Sequence, residues 1–69
     1  MFIDEPNSKR FTNGIQICDS DVISRNGEFE DNGFLRVYDQ NKAFLGIGKA
    51  IMNDNQSVIY KPIKVLANQ

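Results

Sequence analysis

The sequence has no histidine and no tryptophan, a single cysteine, Cys18, and only two prolines among 69 residues. Without histidine there is no Ser-His or Cys-His nucleophile pair, and a general base would have to come from scattered carboxylates. One cysteine cannot staple the chain to itself, and a zinc site would need more ligands than the sequence supplies. Cys18 therefore reads as a small buried hydrophobe or an inert surface thiol, not as a nucleophile. No apolar run approaches the length of a membrane span, and Met1 to Asp4 lacks the basic and long apolar regions of a secretory signal. No metal, cofactor or membrane is expected, and the expected location is cytoplasmic.

What is there fits one small folded domain covering residues 1–69. Hydrophobic residues make up 41% and charged residues 25%, the balance of a globular chain and not of a disordered tail. A chain this short buries only about 60% of the surface it exposes when unfolded, so marginal stability is expected. The net charge of −1 argues against a purely electrostatic grip on nucleic acid. Its distribution says more. Residues 1–34 carry three cations against seven carboxylates, a balance of −4, while residues 35–69 carry five against two, a balance of +3. Such halves predict a polar protein with one basic face.

Along the chain, Asp4 can cap a short helix with Glu5 and Pro6 in its first turn, and Asn13-Gly14 gives the stop. Its apolar face is essentially Phe11, so docking must hold it. Ile15 and Ile17, then Val22 and Ile23, read as short extended pieces around the polar Asp19-Ser20-Asp21. Ser24 to Gly33 reads as an acidic surface loop with Phe29 as an anchor. From Phe34 the pattern alternates: Phe34, Arg36 and Tyr38 on one side of a strand, Leu35 and Val37 on the other. Asp39 to Lys42 supplies a turn in which Asn41 takes the left-handed conformation. The return strand, Ala43 to Met52, has Leu45, Ile47 and Ile51 in one parity, and a bulge at Gly48 would turn Lys49 outward. Asn53 to Gln56 is a second turn, Val58 to Tyr60 a further strand, and Ile63, Val65 and Leu66 a last one beyond Pro62, which belongs at a sheet edge or a corner. The predicted fold is mostly β: a small pseudo-barrel of about five short strands with one short N-terminal helix.

The stretch "FLGIGKA", Phe44 to Ala50, poses the question of phosphate binding. A dinucleotide fingerprint needs a third glycine where Ile51 stands, and a P-loop needs Ser or Thr after the lysine, where Ala50 stands. Gly46 and Gly48 therefore read as structural, marking a bent strand or a close backbone approach. Glu28, Glu30 and Asp31 lack the spacing of a calcium loop and read as a solvated acidic loop. Lys49, Lys61 and Lys64 are ordinary solvated lysines unless they converge, in which case they suit phosphates. Tyr38 and Tyr60 have ring faces for stacking on bases, and equally the size of half-buried barrel residues.

The ordered set "RFTNG", "GFLRVYD", "FLGIGKA" and "YKPIKVL", from Arg10 to Leu66, resembles the C-terminal domain of bacterial tRNA pseudouridine synthase B, a variant of the PUA fold. Ile63 stands where that family commonly carries a second basic residue, with basic charge at Lys61 and Lys64 instead. The resemblance implies a parent enzyme that isomerises uridine 55 in the tRNA T loop, using an aspartate on a separate catalytic domain. On that view no residue here is catalytic and the chain alone has no activity. The domain would hold tRNA backbone weakly through Lys49, Lys61, Lys64 and Arg10, with Gly46, Gly48 and Pro62 structural, and would be monomeric, partnered by tRNA and by the catalytic domain. The alternative is a structural or protein-interaction barrel whose edge or acidic loop docks another domain, with no RNA role of its own.

Overall fold

The computed structural model describes residues 1–25, 31–53 and 57–66. A two-residue strand β1, Phe2–Ile3, runs straight into the helix α1, Glu5–Thr12. Asp4 separates them. Its carboxylate accepts from the backbone N–H of Asn7 at 3.0 Å, an N-cap bond, and Pro6 sits in the first turn, where a missing N–H costs nothing. The helix ends in a Schellman arrangement: Gly14, at φ +83°, donates to the Phe11 carbonyl and Ile15 to the Arg10 carbonyl. Asn7 and Ser8 are buried but satisfied, both bonding to Asp4.

The remaining strands are β2, Ile17–Cys18; β3, Val22–Ser24; β4, Phe34–Asp39; β5, Phe44–Met52; and β6, Val58–Val65. A short 3-10 turn, Asp19–Asp21, joins β2 to β3. The six form one sheet in the order β2-β6-β5-β4-β1-β3, antiparallel except where β1 lies parallel to β4. The outermost strands, β2 and β3, are consecutive in the chain, so three residues of 3-10 turn bring the sheet's two ends together and the sheet curls into a nearly closed barrel. One of these strands has no counterpart in the sequence pattern. That strand is β1, which has no periodicity of its own and is recruited by long-range pairing: the Met1 ammonium donates to the Arg36 carbonyl at 2.7 Å and Tyr38 N–H to the Met1 carbonyl at 2.8 Å.

The β4–β5 turn departs from the expected one in a single residue. The Asp39 carboxylate accepts from the N–H of Asn41 and of Ala43, at 2.8 and 2.9 Å, and Lys42, not Asn41, takes the left-handed conformation at φ 71°. This is the three-residue hairpin loop, a turn closed by one left-handed residue.

Strand β5 reverses the expected parity. Its buried positions are Leu45, Gly46, Gly48 and Ala50, whereas Ile47, Lys49 and Ile51 lie on the outer face. The helix explains it. Phe11 docks on the inner face against Gly48, where an added Cβ would lie 3.5 Å from Phe11 Cε1 and 3.4 Å from Val37 Cγ2, so only small residues leave room there. Nor is the extra residue Gly48 itself. Pairing with β4 slips at Leu45, and pairing with β6 slips at Ile63, opposite Ile47 and Gly48. Gly46 has the tightest demand: at φ +152° a Cβ would meet the Lys64 carbonyl oxygen at 2.1 Å.

Strand β6 runs unbroken through Pro62, where two strands were expected. Pairing with β2 stops at Tyr60, so beyond it one side of β6 carries no partner strand, and the bulge at Ile63 absorbs the irregularity. The core is Met1, Ile3, Phe11, Ile17, Val37, Leu45, Ala50 and Tyr60, flanked by Val22, Leu35, Val58 and Val65. Phe29, Glu28 and Glu30, the expected anchor and acids, lie outside the described residues, as do 54–56 of the second turn and 67–69 of the tail.

Candidate nucleic-acid interface

Directly paired residues of neighbouring strands project to the same face, about 4.7–4.9 Å apart in the direction of the ladder. The register therefore builds the outer face as rows. One row is Phe34, Lys49 and Lys61, across β4, β5 and β6; the next is Arg36, Ile47 and Lys64. At one end lie Phe2, Tyr38 and Phe44, with ring centroids 5.3 and 5.5 Å apart, and at the other Ile51, Ile59 and Cys18. Four cations thus occupy two adjacent rows between apolar margins, and no position in these rows carries a carboxylate.

The bulge is what makes the rows meet. Lys61 and Lys64 are three apart, a spacing that in a regular strand sends them to opposite faces. The extra residue Ile63 restores the phase, so that Lys61 pairs with Lys49 and Lys64 with Ile47 on the same side. Ile63 itself is exposed.

Lys49 holds its ammonium 5.9 Å from the centroid of the Phe34 ring, a cation–π contact. Among the described residues the one ion pair is Arg25 with Asp19, so the four outer-face cations face solvent without a carboxylate partner there. Arg10 is not with them. It lies exposed on α1, the helix that covers the opposite face. Arg36 is the member that sequence reading placed on the strand but not in the site; its signal was alternation with Phe34, and only the register to Ile47 and Lys64 shows where it belongs.

A second polar cluster sits at the seam. Tyr60 is fully buried; its hydroxyl donates to the Asp19 carboxylate at 2.5 Å and accepts from the Arg25 guanidinium at 2.6 Å, while Arg25 and Asp19 pair at 3.1 Å. Burial first, then the carboxylate beside it, push the Tyr60 pKa up to about 12. Its oxygen is committed to closing the barrel, so Tyr60 offers no ring to a base. Tyr38 is half-buried between Phe2 and Phe44. Cys18 is an exposed free thiol.

Among the described residues, fold and face together define a small β-barrel domain whose two outer rows carry four cations and no carboxylate. The family model for pseudouridine synthase II TruB, C-terminal, matches residues 2–58, and the chain belongs to that family of accessory domains. The matched span includes Phe34, Arg36 and Lys49; Lys61 and Lys64 lie beyond it. No curated protein and no solved structure matches the chain.

Proposed function

We propose that this domain holds tRNA backbone for a pseudouridine synthase, gripping phosphates with Lys49, Lys61 and Lys64 while a catalytic domain of the parent chain isomerises uridine 55 in the T loop. The observation that carries the reading is the register that sets three lysines and Arg36 in two neighbouring rows without a carboxylate among them. Contacts of this kind fix position and carry no sequence information, which suits a PUA-like accessory domain of a bacterial, cytoplasmic tRNA-modifying enzyme. Arg10 has no contact in this reading.

Phosphate contacts release counterions, so affinity falls with salt. Four cations set an upper bound on the slope of log K against log salt of roughly −3.6 for a duplex region. Titration of labelled tRNA across a salt series measures it. Alanine at Lys49, Lys61 or Lys64 is expected to flatten the slope by about 0.9 each, while Arg10→Ala leaves it unchanged. Lysine variants whose slopes equal the parent's would remove the lysines' role. A second reading, docking of another domain, draws support from the shallow recess lined by Phe2, Ile23, Ser24, Gln40 and Lys42, where Ile23 is exposed.

A further inference from the structure

Among the aromatic side chains of the described residues, one stands out by its exposure. Phe34 leaves 66% of its surface in solvent, more than any other large hydrophobic side chain among the described residues. Burying such a ring in the fold would have been favourable, yet β4 presents it outward at the head of the row that continues through Lys49 and Lys61. The two tyrosines cannot do the same work, Tyr60 because it is buried in the seam and Tyr38 because Phe2 and Phe44 already flank it.

We infer that Phe34 is a stacking platform for an unpaired base, so that this face takes a single-stranded stretch of RNA and not only the backbone of a duplex. The inference rests on the RNA-binding reading above. An exposed ring beside cations is the combination that single-stranded nucleic acid requires: the π-face takes a base whatever its identity, and ammonium groups one strand away meet the flanking phosphates. Lys49, its ammonium over the ring 5.9 Å from the centroid, ties the two elements together. A duplex keeps its bases stacked on each other and gives Phe34 nothing to receive. The complementary charge sets the occupant: the rows around Phe34 hold Arg36, Lys49, Lys61 and Lys64 and no acid.

The chain has no tryptophan, so Phe34→Trp places a single indole reporter at an exposed position. The experiment titrates this variant at low salt with a short oligoadenylate, with the same strand annealed to its complement, and with polyglutamate. Phe34→Leu is measured in parallel by competition. Quenching by the single strand and not by the duplex, with Phe34→Leu weakening the single strand roughly 5- to 150-fold and leaving the duplex unchanged, is the expected result. Equal binding of both RNAs with unquenched indole overturns the stacking role and leaves the lysine reading standing. Absence of binding by either RNA overturns both. Polyglutamate bound as tightly as RNA assigns the face to an acidic protein and overturns the inference in favour of that partner.

Discussion

Gly46 and Gly48 look equivalent in the sequence, yet alanine at the two positions is expected to act with opposite sign. At Gly46 a new Cβ would stand 2.1 Å from the Lys64 carbonyl oxygen and 3.1 Å from Val65 Cα, backbone atoms that cannot swing aside, and φ there is +152°. Relief requires β6 to retreat by about 1 Å, enough to spoil the pairing of Gly46 with Val65 and of Ile47 with Lys64 and the 3.0 Å bond from Leu66 N–H to the Leu45 carbonyl. Losing two or three such bonds at about 0.5–1.5 kcal/mol each, with strain from the unfavourable φ, gives roughly 3–5 kcal/mol. A 69-residue domain holds about 3.5–10 kcal/mol in all, so Gly46→Ala is expected to lower Tm by at least roughly 12 °C or to leave the chain largely unfolded. At Gly48 the nearest atoms lie at 3.4 to 3.6 Å, ordinary contact, and replacing a strand glycine gains about 0.5–1 kcal/mol of chain entropy. Thermal unfolding followed by far-UV circular dichroism compares the two. A Gly46→Ala protein that melts with the parent, or a Gly48→Ala protein that loses as much as Gly46→Ala, would refute the close-approach argument.

Three further outcomes follow from local geometry. Tyr60→Phe removes a hydroxyl bonded to both Asp19 and Arg25 and is expected to cost about 1.5–3 kcal/mol in urea unfolding. Because the folded pKa of Tyr60 is raised from 10 to about 12, its contribution is complete below pH 10 and disappears as pH rises to about 12; the stability difference between parent and Tyr60→Phe should shrink over that window, and a constant difference would contradict it. Asp4→Ala is expected to cost about 1 kcal/mol and Asp4→Asn little, read as paired shifts in urea midpoint. Lys42→Gly relieves a left-handed residue at φ 71° and is expected to gain about 0.5 kcal/mol, whereas Asn41→Gly gains nothing.

Much of the architecture was legible because it is local. The Asp4 cap, the Asn13-Gly14 stop and the Asp39 turn declare themselves in neighbouring residues, and the alternation from Phe34 to Tyr38 fixes both faces of β4. What failed required knowledge of a distant partner. The inward parity of β5 follows from Phe11 docking on Gly48, which makes glycine and alanine the core residues and sends Ile47 and Ile51 outward, against the rule that the larger apolar side chain is buried. β1 exists because β4 lies beside it, and Pro62 ends no strand because the bulge at Ile63 accommodates it. The basic half of the chain was visible as a charge balance, but the convergence of Arg36, Lys49, Lys61 and Lys64 depends on register. Phe34, the ring most open to solvent among the described residues, could be told from Tyr38 and Tyr60 only through burial.

Because β2 and β3 are tethered by three residues yet form no ladder with each other, side chains and not peptide groups fasten the cylinder along that line. The molecule therefore has a zip. Breathing ought to begin there, with amides of Ile17 to Ser24 exchanging with deuterium well before those of β5, which is laced to a neighbour on both sides.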